Sequence, residues 1–163
     1  MYLEKLSMKD RLAVVTGAGN GIGFSCAEAL AESGATVFIA DIDEEAARTA
    51  ANRLSKSGYK ADWDQLDVTN SSAVSSCVRK IVDRYGMVDV LVNNAGIGKT
   101  FEPAEDMTDE VWHAVLDVNL NGLFWCCRAF GKEMLRAGGG SVVNLGSMSG
   151  EISNRPQEQA QYN

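Results

Sequence analysis

The segment TGAGNGIG, Thr16 to Gly23, closes a short apolar run and opens a helical one. Gly17, Gly19, Gly21 and Gly23 recur at every second position, so the pattern GxGxxG fails at Ile22 while TGxxxGxG fits. Amides with no side chain over them can approach a pyrophosphate, and the N-terminus of the following helix favours negative charge. A merely tight strand-to-helix turn would use the same glycines. Asp41 ends the next apolar run. A carboxylate there accepts hydrogen bonds from both adenosine ribose hydroxyls and repels a 2′-phosphate. It could instead cap the next helix, a task Asp43 can also perform. No arginine stands at Asn20 or beside Asp41, so the charge pattern selects NAD.

These residues need a scaffold of alternating strands and helices. LAVVTGA, TVFIAD, ADWDQLDVT, VDVLVNNAG and SVVNLGS read as strands. Between them, GIGFSCAEALAESGA is helical, with Ile22, Cys26, Ala27 and Leu30 on one face and Gly34 as its cap. IDEEAARTAANRLSKSGY carries acids early and bases late, as a helix dipole prefers. NSSAVSSCVRKIVDRYG opens on an Asn/Ser cap, and TDEVWHAVLDVN through LNGLFWCCRAFGKEMLRAGGG gives one or two long helices. Continuous apolar strands alternating with helices imply a parallel sheet covered on both faces, the doubly wound α/β, Rossmann-type fold. No repeat or boundary divides residues 1–163, which read as one domain.

Composition narrows the function. The net charge of -7 opposes nucleic-acid and anionic-lipid partners. No run has the length of a membrane span, and the charged N-terminal segment lacks a signal peptide's apolar core, which leads to a cytoplasmic expectation. Cys26, Cys77, Cys126 and Cys127 show no CxxC spacing and read as free, packed thiols. The lone histidine, His113, has no partners for a zinc site, so no metal is expected.

Taken together the motifs resemble the short-chain dehydrogenase/reductase family. TGAGNGIG, DVT after the third strand, NNAG, DVNLNG, NLGSMSG and Tyr162 occur in the family's order and cover nearly the whole chain. The resemblance implies an NAD-dependent oxidoreductase interconverting a secondary alcohol and a ketone. It assigns Gly17, Asn20, Gly21, Ile22, Gly23, Asp41 and Ile42 to the coenzyme. Asp67 and Val68 would meet the adenine, and Asn93, Ala95 and Gly96 would line the adenosine side. Asn119, Ser147 and Tyr162 match three members of the catalytic tetrad, with Tyr162 also at the coenzyme. The chemistry suits those types: a phenol is about a thousandth ionised at pH 7, so it needs a nearby cation before it can take a hydroxyl proton. Ser147 would hold the substrate oxygen. Asn119 resembles the residue that kinks its helix and holds a water of the proton relay.

The family's tyrosine begins YxxxK, whereas the sequence reads YN and stops. The expectation is therefore a piece of a longer domain, with the lysine, the last strands and later helices missing, and with strands in the order 3-2-1-4-5. Such a piece would bind coenzyme weakly and turn nothing over, and would act as a non-catalytic dinucleotide-binding unit. The fifth strand would be an uncovered edge that invites irregular association. The loop SMSGEISNRPQEQAQYN, rich in amides and short polar groups, resembles that of polyol and sugar-alcohol dehydrogenases of the galactitol, sorbitol and mannitol types. A polyol or ketose is the expected small-molecule substrate. A 3-oxoacyl-carrier-protein reductase is the alternative, which sits badly with Asp41 because of its NADP preference. The apolar LFWCCRAF suits either a core or the surface of a homo-oligomer, dimer or tetramer.

Overall fold

A computed structural model describes residues 2–98 and 103–150. A short helix, α1 (Tyr2–Lys5), precedes β1 (Leu12–Thr16), α2 (Gly21–Glu32), β2 (Thr36–Asp41), α3 (Glu44–Lys56), β3 (Ala61–Gln65), α4 (Ser71–Tyr85) and β4 (Val90–Asn93). Then come α5 (Asp109–Leu116), a π-helical segment (Asp117–Gly122), α6 (Leu123–Arg136), β5 (Ser141–Asn144) and a 3₁₀ turn (Met148–Gly150). The strands form one sheet in the order β3-β2-β1-β4-β5, every neighbouring pair parallel. Both the expected fold class and the expected strand order hold.

The sheet has a core on each face, set by the two-residue period of its strands. Leu12 and Val14 of β1 pack with Phe38, Val74, Ile81, Leu91, Phe130 and Met134, beneath α4 and α6. Ala13 and Val15 point the other way, among Val37, Ile39 and the alanines of α2 and α3. All five residues of β1 are buried, as the central strand of a sheet covered on both faces must be. Asp89, also buried, anchors the opposite end of this strand. One of its oxygens accepts from the Leu12 amide at 2.9 Å and the other from Arg11 at 2.6 Å.

Helix ends follow the sequence signals. Asp43 accepts from the Ala46 amide at 3.0 Å and caps α3, and Asn70 accepts from Ser72 and Ala73 to cap α4. Gly34, at φ +100°, follows the cap residue Ser33 of α2. The buried face of α2 differs from the expected one. Gly23, Phe24, Ala27 and Ala31 are buried, Cys26 and Leu30 only partly, and Ile22 is 68% exposed. Apolar periodicity alone does not set which side of α2 faces the sheet. The close approach of Gly23 to the end of β1 fixes the helix's rotation and carries Ile22 out over the ends of the strands. LFWCCRAF divides in the same way: Cys126 and Phe130 enter the core, while Phe124 stays exposed beneath the Arg128 guanidinium.

All four thiols are free. Burial pushes the Cys77 and Cys126 thiols up to about 12 from an ordinary 9.0. A raised thiol pKa favours the protonated native form, so this stabilisation is complete below 9.0 and is lost as the pH climbs towards about 12. At pH 8, Cys77 and Cys126 are expected to resist dithionitrobenzoate until urea unfolds the chain. Fast release of four equivalents of thionitrobenzoate per chain without denaturant would show that these thiols are accessible.

Among the described residues β5 pairs with β4 alone, and Val142 and Val143 remain 41% and 47% exposed. An uncovered apolar edge is a template for association. Light scattering is expected to find this chain polydisperse at micromolar concentration. A monodisperse, cooperatively melting monomer would contradict that.

Candidate functional site

A cleft of about 990 Å³ opens at the carboxyl ends of β1, β2, β4 and β5, within the size range of ligand pockets. It is lined by the glycine turn after β1, the end of β2, the loops after β3, β4 and β5, and the π segment. In parallel α/β sheets this is where ligands bind, because the chain leaves the sheet in opposite directions on either side of the first strand.

The turn is held by a polar brace. The Asn94 side chain donates to the Thr16 and Gly17 carbonyls at 3.0 and 2.9 Å. In return Thr16 Oγ1 accepts from the Asn94 and Ala95 amides, each at 3.1 Å. A Cβ on Gly23 would collide with the Asn94 amide nitrogen and the Gly17 carbonyl. Gly21, at φ +56°, lines the cleft, and among the described residues no atom lies within 4 Å of the place a side chain would take.

Asp41 stands half-buried at the cleft's rim. Its Oδ2 accepts from the Gly19 amide at 2.8 Å and its Oδ1 from the Asp43 amide at 3.0 Å. Each carboxylate oxygen keeps a further lone pair. Ile42, 63% exposed, adds an apolar surface beside it. Among the described residues the only charged side chains lining the cleft are Asp41 and Asp67, both acidic. Asp67 folds back on Thr69, accepting from its amide at 2.9 Å and its hydroxyl at 2.7 Å, and Val68 is buried next to it.

Gly17, Asn20, Gly21, Ile22, Gly23, Asp41, Ile42, Asp67, Val68, Asn93, Ala95, Gly96, Asn119 and Ser147 therefore meet around one cleft. Tyr162 lies outside the described residues. Ser147 is exposed after β5 and accepts from the Ser149 amide at 3.1 Å. The Asn119 side chain is clamped on the Ile97 backbone. Its Oδ1 accepts from the Ile97 amide at 2.8 Å and its Nδ2 donates to the Ile97 carbonyl at 2.9 Å. Its helix is widened into a π segment, a geometry often found at functional sites. Asn93 uses its amide to join β4 to β5 and α6, donating to Asn144 Oδ1 at 2.9 Å and to Cys127 Sγ at 3.1 Å.

Thr16 and Asn94 escaped the sequence reading as site residues. The signal was there: a doubled asparagine straight after an apolar run, where only one side chain can serve the sheet. His113 is exposed on α5, and the described residues hold no group of three or more His, Cys, Asp or Glu able to bind a metal. No helix among them is long and apolar enough to cross a membrane.

Residues 11–162 match the family model described as short chain dehydrogenase. Over 162 residues the chain is 46% identical to galactitol 2-dehydrogenase of Rhizobium johnstonii, covering 99% of this chain and 63% of that protein. A crystal structure of gluconate 5-dehydrogenase from Burkholderia cenocepacia, in complex with NADP and tartrate, superposes with TM-score 0.93 at 35% identity over 99% of this chain and 62% of that one. NAD+-bound xylitol dehydrogenase gives TM-score 0.90 at 33% identity over 95% and 59%. The chain thus spans about three fifths of the length of these relatives.

Proposed function

From the premise that the chain belongs to the short-chain dehydrogenase family, we propose that it is the coenzyme-binding part of an NAD-dependent dehydrogenase that interconverts a polyol or sugar alcohol and its ketone. The observation that carries the coenzyme choice is Asp41, fixed at the rim of a cleft whose described lining holds no cation. A diol gains two acceptors there, and a 2′-phosphate meets a buttressed negative charge. The uncovered backbone at Gly21 and the N-terminus of α2 suit a diphosphate. Asn20, Ile22, Gly17 and Gly23 shape that end of the cleft, and Ile42, Asp67 and Val68 shape the adenine end. Asn93, Ala95 and Gly96 form the wall between them.

NAD, when bound, supplies the carbon that accepts a hydride from the substrate's carbinol carbon. The proton is left to side chains. In the whole enzyme Ser147 Oγ would hold the alcohol oxygen by a hydrogen bond, and Tyr162, with its pKa lowered by a neighbouring cation, would take the hydroxyl proton as the carbonyl forms. Asn119, held to the Ile97 backbone by one donor and one acceptor, keeps a second amide N–H with which to hold a water of the proton relay. The polyol assignment draws support from the galactitol and xylitol dehydrogenases among the similar proteins. Exposed Phe124 supports a homo-oligomer formed through α6.

The test has two arms. Fluorescence titration of this chain with NADH and NADPH is expected to give binding that favours NADH. With NAD present, saturation-transfer NMR is expected to detect galactitol, mannitol or xylitol, and NADH formation from them is expected to be negligible. Preference for NADPH, together with contacts only to a 3-oxoacyl thioester, would replace this reading with a carrier-protein reductase.

A further inference from the structure

Gly19 does not line the cleft, yet it touches the group that selects the coenzyme. Its amide donates to Asp41 Oδ2 at 2.8 Å. A Cβ built on it would lie 2.9 Å from that same oxygen and 2.7 Å from the Ala46 methyl. Ala46 is held in place by the α3 cap, its amide donating to Asp43 Oδ1 at 3.0 Å. The end of β2, the first turn of α3 and the glycine turn therefore meet with no room for one further carbon. The backbone at Gly19 does not need a positive φ, so space alone excludes a side chain.

We infer that Gly19 is a positioning residue for coenzyme selection, acting through Asp41. The inference rests on the NAD reading given above. A carboxylate free to change rotamer could swing aside and admit a 2′-phosphate. Here one oxygen is tied to Gly19 and the other to Asp43, so the charge stays aimed at the ribose. Hydrogen bonds from backbone amides to a carboxylate are charge-assisted and therefore strong. A methyl group at position 19 pushes Oδ2 off its amide. That costs the diol a fixed acceptor. It also frees an N–H donor beside the place a 2′-phosphate would take, so the two coenzymes respond in opposite directions.

Dissociation constants for NADH and NADPH, measured by fluorescence, test this on the wild-type chain and on Gly19→Ala, Gly19→Ala/Ala46→Gly and Asp41→Asn. Gly19→Ala is expected to lower the NADH-over-NADPH preference by about tenfold, the scale of one charge-assisted hydrogen bond. The double variant, relieved of the Ala46 methyl, recovers part of it. Asp41→Asn abolishes the preference outright. If Gly19→Ala does not fold, the double variant carries the same comparison against wild type. Equal weakening of both coenzymes marks Gly19 as structural only and overturns the inference, as does an unchanged ratio. A wild-type chain that binds neither coenzyme, or prefers NADPH, defeats the NAD reading itself. Clear NADH preference with an insensitive position 19 defeats only this inference.

Discussion

Gly23→Ala is expected to remove detectable NADH binding and to lower stability by about 1–3 kcal/mol, the usual cost of forcing an extra methyl into a packed site. The new carbon would collide with the Asn94 amide nitrogen and the Gly17 carbonyl and lie 3.0 Å from Ala18 Cα. Two of these three atoms belong to the backbone of the turn, so no rotamer change relieves them. α2 must move away from β1, taking the Gly21 amide and the buried Phe24, Ala27 and Ala31 with it. Removing the asparagine as well does not rescue the variant. Gly23→Ala/Asn94→Ala still meets the Gly17 carbonyl and also deprives the Thr16 and Gly17 carbonyls of their donor. Urea unfolding followed by circular dichroism, with NADH titration alongside, checks both parts. A Gly23→Ala chain with wild-type midpoint and affinity would mean that the turn does not pack as described.

Asp41→Ala has the second large effect, and it falls on affinity. NADH binding is expected to weaken by about 10- to 100-fold, the loss of one or two charge-assisted hydrogen bonds. NADPH binding is expected to strengthen, because the negative charge nearest the 2′ position is gone and the Gly19 and Asp43 amides are released. Stability changes little, since the side chain is only half-buried and water can reach the freed amides. Titration of both coenzymes with wild type and variant reads the ratio. If Asp41→Ala weakens NADH without improving NADPH, charge at position 41 does not control the choice.

Glycine spacing, the acid at the end of the second apolar run and the strand-helix alternation were enough to place the cleft. Each is a local requirement with a residue type of its own. Lack of a side chain lets backbone approach an anion, a carboxylate binds a diol, and apolar runs build strands buried on both sides. The family resemblance points to a kink at Asn119, but residue types alone do not show its π geometry. DVNLNG looks like ordinary helix, and it widens because Asn119 reaches across to Ile97 while Gly122 fits against Val68. Ile22 continues the apolar period of α2 yet lies exposed at the cleft, so periodicity alone does not mark the buried face.

The division follows from range. The sequence by itself determined the strand-helix alternation, the glycine turn and the acid at the end of the second strand, because those depend on residue type and on neighbours a few positions away, while the strand order followed from the family resemblance. Tertiary structure alone decided that Asn94 braces the turn across 77 and 78 positions of chain, that Asn119 clamps Ile97 across 22, and that Gly19 leaves no space beside Asp41. Such contacts join segments whose separation in the chain carries no periodic signal, and they exist only once the sheet has brought its strand ends together.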